Sequence, residues 1–192
     1  MDLKKLSVKK ILKFQNNFSI KNMSEELKII DNIRQQGFRP QVVGCFINKN
    51  KILFLYHKKY RLWQLPQGGI ENQETVQRSL KREMEEELGD DFIKNCDFSN
   101  INIFEEAQLK FPENAQGSRE LKTDDGQEMK MKGKRYLFIK IQANTSKLDI
   151  KKTEFDDYQW LNTKEAINIA NKIYQVGKKQ ITLKAINSLN SK

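Results

Sequence analysis

A chain of 192 residues is long enough for one well-buried domain with room for an appendage. Its one histidine, His57, and two distant cysteines, Cys45 and Cys96, leave little material for a His-based zinc centre, a Ser-His-Asp arrangement or a disulfide framework. Lys and Arg outnumber Asp and Glu by 35 to 25, and the excess sits at the two ends: residues 1–36 carry eight basic against four acidic side chains, and residues 161–192 six against one.

A basic surface attracts polyanions such as RNA, although a lysine-rich composition throughout the chain explains the same charge more plainly. No apolar run approaches membrane-spanning length, and the start lacks the apolar core of a secretory signal. No membrane association is therefore expected. Cys45 and Cys96 fit a reducing cytoplasm as buried apolar side chains.

Residues 1–22 set Lys4, Lys5, Lys9, Lys10 and Lys13 among Leu, Ile and Phe. They read as a short amphipathic helix, an RNA-contacting arm or a frayed tail. Ser24-Glu25-Glu26 predicts a helix start, and Leu27, Ile30 and Ile33 carry the helical period to a stop at Gly37. Residues 1–36 are thus expected to form a basic extension containing a helix. From Gln41 the pattern changes to strands: QVVGCFIN and KILFLY flank Lys49-Asn50 as a β-hairpin. Trp63 reads as core rather than as a base-stacking platform, and so does Trp160.

Gly68-Gly69 precedes a stretch in which Val76, Leu80, Met84 and Leu88 recur every fourth place, one stripe of a helix, with Gly89 behind it. Further strands are expected at Ile101–Lys110, Arg135–Gln142 and Phe155–Leu161. The polar stretch Pro112–Gly133 between them is a long loop or hairpin arm. Asn162-Thr163 caps a helix through Ala166, Ile169 and Ile173, and Ile181, Leu183 and Ile186 mark another. Strands with interspersed helices fit an α/β/α sandwich around a mixed sheet.

The acidic residues of the central helix carry the chemistry. Glu83, Glu86 and Glu87 stand at i, i+3 and i+4, where like charges repel. Glu87 also falls at the edge of the apolar arc, where an ionised carboxylate is costly without a compensating cation. A hard divalent ion with oxygen ligands, Mg²⁺ or Mn²⁺, would compensate it. A solvated acidic face paired with Arg78, Lys81 and Arg82 is the alternative.

The whole spacing, Gly68, five residues, Glu74, seven residues, Arg82-Glu83-Met84, one residue, Glu86-Glu87, one residue, Gly89, resembles the signature of the Nudix hydrolases. Asp90 departs from it, since an apolar residue is usual there. The resemblance implies an α/β/α sandwich around a mixed β-sheet, spanning residues 37–192. Gly37-Phe38-Arg39-Pro40, Val43-Gly44, the run Trp63-Gln64-Leu65-Pro66-Gln67-Gly68-Gly69-Ile70 and Glu154–Trp160 resemble the bacterial RNA pyrophosphohydrolases and the related dinucleoside polyphosphate hydrolases.

That likeness implies Mg²⁺-dependent cleavage of a pyrophosphate bond, with Mn²⁺ as a substitute, in 5′-phosphorylated RNA or a dinucleoside polyphosphate. Glu83, Glu86, Glu87 and Glu154 are its implied metal ligands. Either Glu87 or Glu154 would act as the base. Arg82 would orient the glutamates, and Gly68 and Gly69 would give the backbone its close approach to the site. Arg39 would grip terminal phosphates with its fork. Lys134 is the first choice for a second phosphate contact, ahead of Lys58, Lys59, Arg61, Lys132 and Arg135. Phe111 is a further candidate to stack a base. A non-catalytic Nudix-fold RNA-binding module is the rival from another class.

Overall fold

The computed structural model describes residues 20–99, 101–117 and 119–190. The basic arm expected over residues 1–22 lies mostly outside them.

Helix α1 (Ile20–Gln35) opens the fold and turns into strand β1 (Phe38–Asn48) through Gly37 at φ +84°, a conformation that favours glycine. The helix begins earlier than Ser24, so Ser24-Glu25-Glu26 is not its start. Those residues lie inside the helix, where Glu26 caps a different helix. Strand β2 (Lys51–His57) returns antiparallel to β1. Lys49 and Asn50 both take positive φ, 47° and 62°, which gives the twist that a two-residue hairpin needs.

β3 (Leu62–Gln64) and β4 (Gln67–Gly69) follow as short additions to β2 and β1. At three residues each they are too brief for alternation to betray them. Helix α2 (Val76–Leu88) and the short α3 (Asp90–Ile93) lead to β5 (Cys96–Asp97) and β6 (Ile103–Lys110). The polar stretch after Pro112 proves to be a hairpin arm, β7 (Glu120–Lys122) against β8 (Glu128–Lys130). β9 (Gly133–Ala143), β10 (Asp157–Leu161) and helices α4 (Thr163–Asn171) and α5 (Val176–Asn190) complete the chain.

The main sheet runs β10-β2-β1-β9-β5, with β3, β4 and β6 paired at its sides. It is mixed: β1 and β9 are parallel, from Phe38 opposite Gly133 to Ile47 opposite Gln142, while the other pairings are antiparallel. Both faces are buried, which is why its central strands are nearly continuously apolar. On one face Val42, Phe46, Leu53, Leu137 and Ile139 pack under α1 and α2 through Ile30, Ile33, Leu80 and Met84. On the other, Val43, Cys45, Phe54 and Phe138 meet Ala166, Ala170, Ile181 and Ile186 of α4 and α5. Each fully buried Leu, Ile or Phe contributes roughly 1.5–3 kcal/mol.

The result is the three-layer α/β/α sandwich expected from the element order. Cys45 is buried and Cys96 half-buried, both as free thiols. Trp63 and Trp160 are half-buried against the two cores, Trp63 tilted on Tyr56 with ring centroids 5.1 Å apart.

Candidate active site

Helix α2 is built to present acids. Thr75 caps it, its side chain accepting from the Arg78 N–H at 3.3 Å. Val76, Leu80, Met84 and Leu88 anchor its buried stripe. This docking brings the margin of the helix against β4, where Gln67 N–H donates to Glu87 Oε2 at 2.9 Å. Glu83 lies directly over Gly68: a Cβ there would coincide with the Glu83 carboxylate. At Gly69 a Cβ would come 2.5 Å from Arg39 Nη2.

Arg82 ties the acids together. Its Nε and Nη2 reach both oxygens of Glu74 at 3.0 and 2.8 Å, Nη1 reaches Glu83 at 2.7 Å, and Nη2 also donates to the Gly69 carbonyl at 3.0 Å. Glu86, more than half exposed, lies 3.6 Å from Arg82 Nη1. Burial opposes ionisation of Glu74, but the hydrogen bonds from Arg82 and Glu71 N–H and the charge of Arg82 outweigh it and hold the carboxyl below its usual range. The Glu74 hydrogen bond in turn raises the pKa of Arg82.

Glu87 is the perturbed acid of the set. Burial pushes its carboxyl up to about 8; Gln67 N–H and Lys178 work against this, while the charges of Glu83 and Glu154 add to it. Glu154 is exposed on the loop before β10, between Thr153 and the buried Phe155. Sheet and helix therefore bring Glu83, Glu87 and Glu154 within electrostatic reach of one another, although Glu154 lies far along the chain from the other two.

Cations gather beside these carboxylates. Arg39 on β1 and Lys134 on β9 are register partners on adjacent parallel strands. Arg39 Nη2 is 3.3 Å from Glu71, and Lys134 Nζ is 3.5 Å from Gln41 Oε1. Burial lowers Lys134 to about 8, helped by the positive charges of Arg39, Lys178 and Arg119. Lys178, at the start of α5, donates to Gln64 Oε1. Burial lowers its pKa, against the charge of Glu87. A recess lined by Gln64, Gln67, Tyr136, Lys178 and Thr182 opens between β4 and α5.

The other basic candidates are elsewhere. Arg135 is drawn away by Glu106, to which it makes a two-pronged contact at 2.9–3.1 Å. Lys132 lies against Gly37. Lys58 and Lys59 lie on an exposed 3₁₀ turn after β2, with Arg61 as its cap. Phe111 is half-buried at the end of β6. Lys178 and Gln67 escape detection in the sequence: Lys178-Lys179 looks like any solvated lysine pair, and a backbone donor carries no side-chain signature.

Comparison with known proteins decides the family: residues 38–183 match the NUDIX domain. The chain belongs to the Nudix family. An RNA pyrophosphohydrolase from Campylobacter jejuni subsp. jejuni serotype O:23/36 (strain 81-176) is 30% identical over 165 residues, covering 82% of this chain and 96% of the relative. The RNA pyrophosphohydrolase from a Nitratiruptor species is 29% identical over 140 residues, 69% of this chain and 83% of its own length.

Among solved structures, the E. coli dihydroneopterin triphosphate pyrophosphohydrolase superposes with a TM-score of 0.53 at 13% identity, covering 78% of this chain and 97% of that one. A Jonesia denitrificans protein described as a possible asymmetric diadenosine tetraphosphate hydrolase gives 0.54 at 15% identity, covering 79% and 94%. These two show the fold. This Nudix protein is a hydrolase of phosphoanhydride bonds.

Nudix hydrolases generally need divalent metal ions. Among the described residues, no three His, Cys, Asp or Glu side chains already converge closely enough to hold one. Glu83 and Glu86 lean on Arg82, and Glu87 on Gln67 N–H. The donor chemistry nevertheless fits a hard cation, because an all-carboxylate set with one destabilised member beside two like charges gains most from one. Among the described residues, no helix is long and apolar enough to cross a membrane.

Proposed function

We propose that this Nudix hydrolase is an Mg²⁺-dependent RNA 5′ pyrophosphohydrolase, releasing pyrophosphate from 5′-triphosphorylated RNA in the cytoplasm. The supporting observation is the apposition of Arg39, Lys134 and Lys178 with the carboxylates Glu83, Glu87 and Glu154, an arrangement that suits a polyphosphate chain ending at a metal site. The two RNA pyrophosphohydrolases similar to this chain over most of its length favour RNA as its carrier.

Glu83, Glu86, Glu87 and Glu154 would hold Mg²⁺, for which Mn²⁺ would substitute. When bound, the ion supplies neutralisation of phosphate oxygens and acidification of a water. Arg39 and Lys134 orient the chain of phosphates, Arg39 through its planar fork. Glu87 or Glu154 takes the proton of the attacking water, and Arg82 keeps the neighbouring acids aimed. Gly68 and Gly69 leave room for Glu83 and for the Arg39 guanidinium against the backbone. The intact glutamate set argues against a non-catalytic RNA-binding role.

Incubation of the protein with 5′-triphosphate RNA and Mg²⁺ tests this reading. The expected products are 5′-monophosphate RNA and pyrophosphate, with no release in the presence of a chelator. RNA left triphosphorylated while diadenosine tetraphosphate is cleaved would replace this reading with the dinucleoside polyphosphate one.

A further inference from the structure

Between the glycine pair and α2 the chain runs through Ile70–Thr75, and this stretch contains Glu74, the acid that grips Arg82 on two oxygens. It is held from outside by α1, which precedes the matched Nudix span. Arg34 of α1, its side chain only 3% exposed, donates to the carbonyls of Ile70 at 2.8 Å and Glu71 at 2.6 Å. Its Nη1 meets Asp124 at the tip of the β7–β8 arm at 3.2 Å.

Asp124 closes the circle. It accepts from Asn72 Nδ2 and Gln73 N–H, both at 3.0 Å, and its own N–H donates to Asp31 of α1 at 2.7 Å. At the far end of the stretch, Glu26 of α1 accepts from Val76 N–H at 2.7 Å, satisfying one of the free donors at the start of α2. Both ends of the segment that feeds the glutamate helix are thus fixed by one helix.

We propose that α1 is a positioning element of the phosphoanhydride site, with Arg34 and Glu26 setting the Ile70–Val76 segment so that Glu74 meets Arg82 and Arg82 aims Glu83 and Glu86. This role rests on the hydrolase function proposed for the site. Removing Arg34 takes a charged donor from the Ile70 and Glu71 carbonyls and from Asp124. Glu71 keeps Glu74 N–H and Asp124 keeps Asn72 and Gln73 N–H, but the buried Ile70 carbonyl must find another donor and the segment must shift to supply it. A shift of about 1 Å behind reacting groups costs on the order of a hundredfold in rate.

The test uses the full chain with Arg34→Ala, Arg34→Lys and Glu26→Ala, and Ile33→Val as a control that loosens α1 packing without touching the segment. Arg34→Ala is expected to lower kcat by about tenfold to a hundredfold while KM stays within about twofold. Lysine should recover part of the loss, and Glu26→Ala should fall in the same direction by less. Ile33→Val should lower Tm and leave kcat unchanged.

Deuterium uptake over residues 70–76 should rise in Arg34→Ala and Glu26→Ala and not in the control. This readout needs no turnover, so a wild type inactive on every polyphosphate would sink the functional reading while exchange still decides the positional one. Wild-type kcat and exchange in both alanine variants, or an Ile33→Val as slow as Arg34→Ala, would overturn the proposal. Should Arg34→Ala not fold, Arg34→Lys carries the same two readouts.

Discussion

Glu87 and Glu86 share a helix face but not an environment: Glu87 is half-buried against Gln67, and Glu86 stands at the exposed rim beside Arg82. Replacing either by Gln keeps its size and removes a charge that a cation would use. Each substitution is expected to cut kcat/KM by on the order of a hundredfold or more, with the fold intact by circular dichroism. Near-normal turnover at saturating Mg²⁺ would return the triplet to a surface role.

Lys134 gives the pH dependence a sign. Its folded pKa, about 8, lies below the ordinary 10.5, so the unfolded chain holds the extra proton between those values and stability rises with pH across that window. Activity should move the other way: kcat/KM falls as pH climbs through about 8 and Lys134 loses the charge that meets phosphate. Lys134→Gln should be the more stable protein at about pH 7 and lack that descent. Glu87, pushed up to about 8, titrates in the opposite sense over the same range, so the variant decides. A Lys134→Gln profile identical in shape to wild type from about pH 7 to about pH 9.5 would remove Lys134 from the binding set.

At the scale of elements, the apposition of β4 and α2 is the joint on which the site turns. Gly68→Ala drives a methyl into the Glu83 carboxylate, and overpacking of this kind costs roughly 1–3 kcal/mol. Glu83 can swing outward, so the larger loss should appear in activity rather than in Tm, as parallel melting and kinetic measurements would show.

The central helix is legible in the sequence because its stripe and its acids follow one period, and the β1–β2 hairpin because Lys49-Asn50 interrupts two apolar runs. β3 and β4 are not legible, because three residues carry no alternation. The start of α1 is misplaced by sequence because Glu26 reads as a first-turn acid of its own helix, whereas it caps α2. Arg82 and its glutamates stand out because their spacing resembles the Nudix signature. Gln67 N–H, which holds Glu87, and Arg34 and Asp124, which hold the segment leading to Glu74, come from other parts of the chain and show only in three dimensions.

For the whole molecule, the basic excess is concentrated at the two ends of the chain. The excess of basic residues in 1–36 and 161–192 flanks a nearly neutral catalytic middle, and Lys178 links the C-terminal excess to the site. If residues 1–19 bind RNA, deleting them should weaken RNA affinity and flatten its salt dependence, by about 0.7 in slope for each single-strand phosphate that is no longer neutralised. An unchanged slope would assign those lysines to composition alone.

The substrate is decided by a competition in one vessel: kcat/KM for 5′-triphosphate RNA against diadenosine tetraphosphate, with Mg²⁺ and physiological salt. Both present a polyphosphate to the same carboxylates, so only interactions beyond the phosphates separate them. The expected result is a preference for RNA of at least about tenfold, corresponding to about 1.4 kcal/mol of differential transition-state binding. Equal constants, or a preference for the dinucleotide, would contradict the assignment to RNA 5′ ends.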